Sequence, residues 1–393
     1  MSTNISKSAF AALLLTVPGI ASASFLERNS LTDGALNINA EYTNYLQQVT
    51  SGVDDADLNT AHRLDVFLSA KTADMGLWDG GSFHSQTVYR HNNGNDLGYL
   101  TATPTNVAYY GSKIGEPFIS SLYYMHGFEN GQRLLAGKID AIELGRNSPF
   151  YGGAGRYGFA NLNFAAPPSG VTPPSFFGAM YMFQALDMNW TAMLYDPRDR
   201  YERSLDFKEL FKDGANLSLS ATYPMTLAGR GTAIGLSATY STESGADWLS
   251  IGSDVATESE GKYNLRVQFS HNLAEQGAHN WGLYLRGAIA DGNPNLLSSS
   301  FSGGLGGSAL FFDRPQDTWG IGYYSTSISN DMQDRAEEMG LEIKDESGAE
   351  AFYAYQAAPW LTFTGNVQVR NTQTLSSEDN DVVVVGLRTT IKI

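Results

Sequence analysis

Three stretches of the chain alternate polar and apolar side chains almost without a break: ANLSLSATY at residues 215–223, TAIGLSATY at 232–240 and YNLRVQFS at 263–270. Successive side chains of a β-strand point to opposite faces, so this period of two predicts strands with one apolar and one polar face. In a soluble sandwich the apolar face packs in the core. In a membrane barrel the apolar face contacts lipid, and the polar face lines an aqueous lumen.

The same pattern continues along the chain, and the connections between its repeats alternate between long and short. A tight turn at Asn130-Gly131, for example, is followed by the very long connection 142–174. An even strand count with long external loops and short periplasmic turns predicts an all-β, antiparallel, 16-stranded transmembrane barrel, closed because lipid cannot hydrogen-bond a free sheet edge. The predicted strands are 35–48, 62–72, 81–91, 118–127, 132–141, 175–186, 189–196, 215–223, 231–241, 262–270, 280–290, 299–310, 318–328, 349–357, 360–370 and 381–393.

The composition excludes several classes of protein. Only 17% of the 393 residues are charged, the formal net charge is −16, and there is no cysteine. So acidic a chain offers no basic surface to nucleic acid, and without cysteine it cannot be a disulfide scaffold. No apolar run reaches the roughly 18 residues of a transmembrane helix. The many aromatic residues (20 Phe, 21 Tyr and 6 Trp) fit a barrel, where such residues form interfacial girdles.

The first residues predict export from the cytoplasm. Lys7 precedes the apolar stretch 9–17, and Ala21-Ser22-Ala23 fits an A-x-A cleavage site. We therefore predict a cleaved signal peptide over residues 1–23 and a single barrel domain over 24–393. The mature chain is then periplasmic, secreted or in the outer membrane.

Aromatic residues and the last strand add to the prediction of a barrel. The chain ends in a strand whose apolar side chains alternate up to Ile393, which resembles the assembly signal of outer-membrane barrels. Aromatic residues near strand ends are expected to form the interfacial girdles: Tyr109, Tyr110, Tyr123, Tyr124, Phe176, Phe177, Trp190, Trp281, Trp319, Tyr323, Tyr324 and Trp360.

Several motifs resemble the carbohydrate-selective porin (OprB-like) family. GLWDGGSFH at 76–84 is similar to the family's turn before a strand, and GKID at 137–140 resembles its "GK.D" before a long constriction loop. DRPQDTWGIGYY at 313–324 and EAFYAY at 350–355 look like two further family motifs, and 382–393 resembles the closing strand. These matches occur in order along nearly the whole mature chain.

The resemblance implies an outer-membrane porin of 16 strands that passes sugars and other small polar solutes by passive diffusion, without a cofactor. Porins often form trimers, so a homotrimer is also expected. A general or ion-selective porin with no sugar preference is the alternative. At this strand number the interior is too wide for side chains to fill, which independently favours an aqueous channel.

The lumen-narrowing element is expected in the connection 142–174, which carries six Gly, five Pro, Arg146 and Arg156. We predict that it folds back into the lumen, the alternative being an ordinary surface loop. Lys138 and Asp140, just before it, are candidates for the constriction wall, unless they pair with each other. The alternation of faces along each strand places further basic residues on the lumen face. There they either contact solutes or form ion pairs with a structural role: Arg90, Arg266, Arg286, Arg370 and Arg388.

The remaining charged and aromatic groups predict no chemistry beyond passage. Acidic loop segments such as 243–247 and 331–346 are expected to form a negative mouth that disfavours anions. Arg314 and Asp317 are expected to pair within a turn, and the Tyr284 and Trp78 rings are candidates for stacking on sugars. No histidine has metal-ligand spacing, and no nucleophile elbow is present, so we predict that the chain is not an enzyme and binds no metal.

Overall fold

The computed structural model describes residues 36–52, 58–93, 103–109, 115–148, 150–151, 153–165, 171–372 and 380–393. The predicted signal peptide, residues 1–23, lies outside the described residues. The strands are β1 (Leu36–Ser51), β2 (Asn59–Lys71), β3 (Gly81–Asn92), β4 (Phe118–Gly127), β5 (Arg133–Asp140), β6 (Ser175–Ala185), β7 (Met188–Tyr195), β8 (Asn216–Leu227), β9 (Arg230–Ala246), β10 (Glu258–Gln276), β11 (His279–Ala290), β12 (Leu297–Ala309), β13 (Arg314–Ile328), β14 (Glu346–Ala358), β15 (Leu361–Thr372) and β16 (Asn380–Lys392).

Within the described residues, sixteen strands form one closed antiparallel barrel in which each strand pairs with the next. The ring closes between β1 and β16, where Tyr45 lies opposite Arg388. Long connections therefore lie at one end of the barrel and short turns at the other. This confirms the predicted fold and strand number.

The strands β8, β9 and β10 are longer than we predicted. We expected β8 to end before Pro224 and β10 to end before the polar residues near 271. Pro224 lacks an N–H group, which normally ends a central strand. Here it still lies opposite Ala233, and the ladder continues to Leu227 and Arg230. The hairpin then turns through Ala228 and Gly229, both with positive φ, in a two-residue turn that needs no longer loop.

The two faces of the sheet differ as the alternation predicts. On β8 to β10, Leu217, Leu236 and Val267 are 60%, 60% and 50% exposed on the outside. Their neighbours Ser218 and Asn264 are buried on the inside. An apolar outer surface around a polar interior is the arrangement that a lipid environment requires.

The aromatic residues do not all lie where we expected. Trp281, Trp319 and Phe311 pack together beside the short turn after β12, with ring centroids 5.1 to 6.4 Å apart. Tyr109 and Tyr324, however, are buried inside the ring of strands. These interior rings pack against residues of other segments, because the barrel interior holds additional chain that their sequence position does not reveal.

Helices are few and short. They are α1 (Ala141–Leu144), α2 (Leu162–Ala165) and α3 (Asn330–Glu338), with single 3-10 turns at Ala73–Met75, Val107–Tyr109, Gly153–Gly155, Trp248–Ser250 and Leu310–Phe312. Across the described part of the chain, none of the helices combines the length and the apolar character needed to cross a bilayer.

The predicted pairing of Arg314 with Asp317 is confirmed, but both residues lie at the start of β13 and not in the turn before it. Arg314 forms an ion pair with Asp317, and a second bond joins its Nη2 to Oδ1 at 3.0 Å. Asp317 also accepts hydrogen bonds from the Tyr353 hydroxyl at 2.7 Å and the Gln356 N–H at 2.9 Å. The ion pair therefore stabilises the end of the β13–β14 hairpin.

The outward orientation of Leu236 predicts the effect of a charge on the outer surface. We expect Leu236→Arg to lower the free energy of unfolding by about 2–4 kcal/mol, because lipid cannot solvate a guanidinium near mid-membrane. The measurement is urea unfolding in lipid vesicles, followed by tryptophan fluorescence. Leu249→Arg, in the 248–250 turn and 55% exposed, is the matched control and should change little. Equal losses in the two variants would contradict a lipid-facing β9.

Candidate functional site

The segment between β5 and β6, residues 141–174, hydrogen-bonds to inward-facing side chains on distant strands. On one side, the Gly155 carbonyl accepts from the Tyr45 hydroxyl at 2.6 Å and from Arg388 Nη1 at 2.7 Å. On another, Glu350 accepts the N–H groups of Ala160 and Asn161 at 2.8 and 2.9 Å. These partners belong to β1, β14 and β16, so the segment contacts several parts of the wall.

Aromatic packing holds the same segment. Phe159 and Phe164 are fully buried and stack on each other, with ring centroids 4.4 Å apart. Phe159 also contacts Phe352 at 4.8 Å, and Phe164 contacts Tyr324 at 5.7 Å. Because Tyr284 belongs to the same buried cluster, its ring is not open to a solute, contrary to our expectation.

Trp78 is also placed differently from our expectation. It lies in the short turn between β2 and β3, where its indole N–H donates to the Tyr124 hydroxyl at 2.6 Å. Trp78 is half exposed at the short-turn end, away from the segment. A role in stacking on a sugar in the lumen does not fit this position.

Arg156 is the centre of a buried charge network at the middle of the segment. Its side chain has no exposure, and it pairs with Glu143 at 2.5 Å, Glu41 at 3.2 Å and Asp65 at 3.6 Å. Burial raises the pKa of the Glu143 carboxyl, but the charge of the Arg156 guanidinium, its hydrogen bond and the charge of Arg63 lower it, and this pKa lies below its usual value. The ion pairs with Glu41 and Asp65 tie the segment to β1 and β2.

Arg146 extends this network toward solvent. It bonds Glu41 at 2.5 Å and lies 3.7 Å from Glu143, while a quarter of its side chain remains exposed. Its guanidinium also lies 4.8 Å from the centre of the Tyr157 ring. Arg146 and Arg156 are thus brought together, as partners of the same two carboxylates.

The assignment of Lys138 to the lumen wall is wrong. Leu135 and Ile139, with the opposite parity on β5, pack with Phe176, which lines the interior cavity described below. Lys138 therefore lies on the other face, where its ammonium donates to the carbonyls of Ile119 and Ser204, each at 2.7 Å. Apolar residues occupy both faces of β5, so its alternation did not indicate which face is inside.

Asp140 has a structural position at the end of β5. Its Oδ1 accepts the N–H groups of Ile142 and Glu143 at 3.0 and 3.2 Å, and so caps α1. Lys138 and Asp140, both described, do not form an ion pair. Asp140 starts the segment and is not part of a wall facing solvent.

Three of the arginines predicted on the lumen face lie on the inner side of the barrel but are buried there. Arg90 bonds Glu202 at 2.5 Å and contacts the Tyr201 ring. Arg370 pairs with Glu346, and Arg388 donates to the Gly158 carbonyl at 2.8 Å in addition to Gly155. Arg90 and Arg388 thus contact loop segments, and Arg370, beside its pair on β14, donates to the Thr103 carbonyl at 2.8 Å, so all three hold interior chain in place.

Arg266 and Arg286 differ, because both line an open interior cavity of about 670 Å³. The cavity lies between the segment and strands β8 to β11. Its polar lining residues are Thr103, Ser148, Tyr151, Thr172, Asp199, Ser218, Ser220, Thr222, Ser237, Glu243, Lys262, Arg266, Gln268 and Arg286. Serine, threonine and glutamine side chains surround the two guanidiniums, a lining suited to hydroxyl-rich solutes.

Our sequence reasoning missed the carboxylates that neutralise the interior arginines. Glu41, Asp65, Glu346 and Glu350 are all buried on the inner face. The sequence did contain a signal. Asp65 lies two residues from Arg63 on β2, and therefore on the same face of the sheet. Glu350 likewise shares its face with buried Phe352 on β14. Reading acidic residues by parity, as we read the arginines, would have found them.

Among the residues that the structure describes, no three histidine, aspartate or glutamate side chains converge closely enough to hold a metal ion. The buried carboxylates instead accept hydrogen bonds from arginines and backbone N–H groups.

Comparisons with known proteins fit this geometry. A family model described as "Carbohydrate-selective porin, OprB family" matches residues 55–393. The high-pH structure of Pseudomonas putida OprB is similar to this chain with a TM-score of 0.78 at 15% identity, covering 91% of this chain and 94% of that one. The low-pH structure of the same protein gives 0.56 at 13% identity, covering 91% and 93%. No curated protein matches the sequence. At these identities, the structural likeness concerns the barrel fold.

The Arg156 network predicts a large effect of removing its cation. We expect Arg156→Met to lower the free energy of unfolding by about 3–5 kcal/mol, because it removes the buried cation that pairs with all three carboxylates of the network. The measurement is urea unfolding in detergent. Lys212→Met, which breaks an exposed pair with Glu209, is the control and should have no measurable effect. A loss no larger than in this control would show that the segment does not depend on Arg156.

Proposed function

The chain belongs to the carbohydrate-selective porin family, OprB, and on that premise we propose how its lumen admits a sugar. The protein is a porin of the bacterial outer membrane that passes carbohydrates. We propose that residues 141–174 fold into the lumen and narrow it, and that solutes pass through the cavity left beside β8 to β11. Passage is diffusive and involves no catalysis.

The bonds of the segment to opposite parts of the wall support this proposal. Tyr45 and Arg388 hold its centre against the β1–β16 seam, while Glu350 and Arg286 hold the residues that follow. A segment with bonds to both the seam and β11 must cross the space between them. It therefore occupies part of the cross-section of the lumen, which in an empty 16-stranded barrel would be filled with water.

The predicted site residues take two roles in this proposal. Arg90, Arg146, Arg156, Arg370 and Arg388 hold interior chain through carboxylates and carbonyls. Arg266 and Arg286 face the solute, together with hydroxyl and amide groups. A neutral sugar then exchanges weak hydrogen bonds from one group to the next, as flux requires, because tight binding at any one site would stop it.

Charge at the long-loop end favours the same class of solute. Acidic residues lie on α3 and in the loops around it, including Asp331, Asp334 and Glu337. A negative entrance lowers the local concentration of anions and leaves neutral solutes unaffected. We also propose that residues 1–23 direct export of the chain and are removed, leaving the barrel domain.

A homotrimer is supported by the outer surface of β1 to β3. Asn44, His62 and His91 lie opposite one another on adjacent strands and point outward. His62 Nδ1 is 2.6 Å from the Tyr42 hydroxyl and 3.1 Å from Asn44 Nδ2. Polar groups at this position are costly against lipid but not against another protein. We propose that this polar outer face contacts a second copy of the chain, as in a trimer.

Conductance in planar bilayers tests the pore and its narrowing. Deleting residues 152–170 should raise the single-channel conductance about twofold or more, since the segment no longer shares the cross-section. Deleting residues 252–255, in an exposed turn at the long-loop end, is the control and should leave conductance unchanged. An unchanged conductance after the 152–170 deletion would count against a constriction.

The sugar preference is tested in the same membranes. Glucose added to wild-type channels should reduce the ionic current in proportion to its occupancy of the lumen. Channels that conduct ions but are insensitive to glucose would instead favour a general or ion-selective porin. An absence of conductance steps would overturn the pore itself.

The oligomeric state is tested by a charge on the polar outer face. We expect Leu64→Arg, on the outer side of β2, to convert trimers into monomers in detergent, measured by analytical ultracentrifugation. Leu219→Arg is a matched substitution on the apolar outer face of β8 and should leave the trimer intact. A monomeric wild type, or equal effects of both variants, would contradict this contact.

A further inference from the structure

Arg266 and Arg286 line the open cavity, and no carboxylate neutralises either of them, whereas Arg388, which also lacks a carboxylate, donates to two carbonyl groups of the segment. Arg90, Arg156 and Arg370 each pair with at least one carboxylate. Among the described residues, no carboxylate oxygen lies within 4.0 Å of Arg266 or Arg286. Interior cations are usually paired, since an unpaired charge is costly to bury. These two therefore need another explanation.

Neutral groups alone bind the two guanidiniums. Arg286 Nη2 donates to the carbonyls of Asn163 and Phe164 at 2.8 and 2.7 Å, and its Nε donates to Ser302 Oγ at 3.3 Å. Arg266 Nη2 donates to Ser237 Oγ at 3.2 Å. Each side chain thus keeps N–H groups that have no hydrogen-bond partner in the described part of the protein, and the Arg286 guanidinium also lies 4.1 Å from the centre of the Tyr151 ring. Both arginines line the cavity.

The two arginines are diagonal neighbours on the same inner face of the sheet. Arg266 lies opposite Ala288, and Arg286 lies opposite Gln268, in the continuous β10–β11 ladder. Such positions are about 7–8 Å apart. Like charges at this spacing repel each other, and an anion between or beside them would relieve the repulsion.

The negative groups of the cavity do not supply that anion. Glu243 is occupied by Lys262, whose Nζ lies 2.6 Å from it. Asp199 accepts the N–H of Tyr201 at 2.9 Å, and burial raises the pKa of its carboxyl. The β10–β11 side of the cavity is therefore locally positive, although the chain as a whole carries −16.

We propose that Arg266 and Arg286 form a subsite for a sugar that carries one anionic group, either a carboxylate or a phosphate. The guanidiniums bind the anionic group through their unused N–H groups, and the serine and glutamine side chains around them bind the hydroxyls. The inference rests on the proposed function, because the subsite lies in the proposed pathway. Guanidinium groups suit both anions, since their forked N–H donors match carboxylate and phosphate oxygens.

Two anionic sugars that share the ring of glucose provide the test. In planar bilayers at low ionic strength, glucuronate and glucose 6-phosphate are compared with glucose for block of the ionic current. At least one of the two anions should block at about a tenfold lower concentration than glucose, because charge-assisted hydrogen bonds are stronger than neutral ones. The more potent anion identifies the anionic group that the subsite prefers.

Variants assign the preference to the arginines. In Arg266→Gln, the half-blocking concentration of the more potent anionic sugar should come close to that of glucose. Arg266→Lys, which keeps a positive charge, should retain most of the preference for the anionic sugar. Arg335→Gln is the matched control, since it removes the same charge from α3, outside the cavity. Arg266 bonds the wall through a single serine, so its substitution should not release the segment.

The outcomes separate this inference from the proposed function. Equal block by glucose and by both anionic sugars, or an unchanged preference in Arg266→Gln, would overturn the subsite while leaving a sugar porin. Acetate blocking as well as glucuronate would overturn recognition of a sugar. If glucose fails to block wild-type channels at all, the proposed function itself is overturned.

Discussion

The rest of the structure depends on the pairing of backbone groups where lipid cannot hydrogen-bond them. A sheet with free edges is unstable in hydrocarbon, so the first and last strands must meet. They do so at the β1–β16 seam, where Ala40 and Ile393 exchange backbone hydrogen bonds of 3.0 and 2.7 Å. Closure gives every strand one face toward lipid and one toward the interior. This explains why a chain without a long apolar stretch can carry an apolar outer surface.

Closure also creates an interior that side chains alone cannot fill. The segment inside the barrel, its ion pairs and the cavity beside it all occupy that space. Residues 141–174 contact the wall through Arg156, Glu350 and buried aromatic rings. Burying charges there is costly, so the interior cations are paired with carboxylates or carbonyl groups. Beside the segment, between it and β8 to β11, an open cavity remains. The segment thus makes a wide barrel into a polar passage of limited size, with two arginines left unneutralised in its lining.

Much of the fold and part of the site could be predicted from residue patterns. Alternation on β8 to β11 assigned Arg266 and Arg286 to the interior, because polar and apolar residues there occupy opposite faces. On β5 it failed for Lys138, since Leu135 and Ile139 face an interior that is locally apolar. Tyr284 was assigned to the correct face, but a solute cannot reach it, because Phe159 and Phe164 cover it. Parity predicts the face of a residue, whereas its accessibility depends on distant segments.

The sequence by itself determined the strand order, the antiparallel barrel and the family, because a period of two and the sorting of loop lengths are local properties. Only the tertiary structure decided which charges are neutralised. Arg156 meets Glu41 across 115 residues of sequence, and Arg388 meets Gly155 across 233. No local pattern encodes such contacts, since they arise from the path of the segment between β5 and β6 relative to the closed wall. The same path leaves Arg266 and Arg286 in the lining of an open cavity, with Arg286 also bonded to the segment.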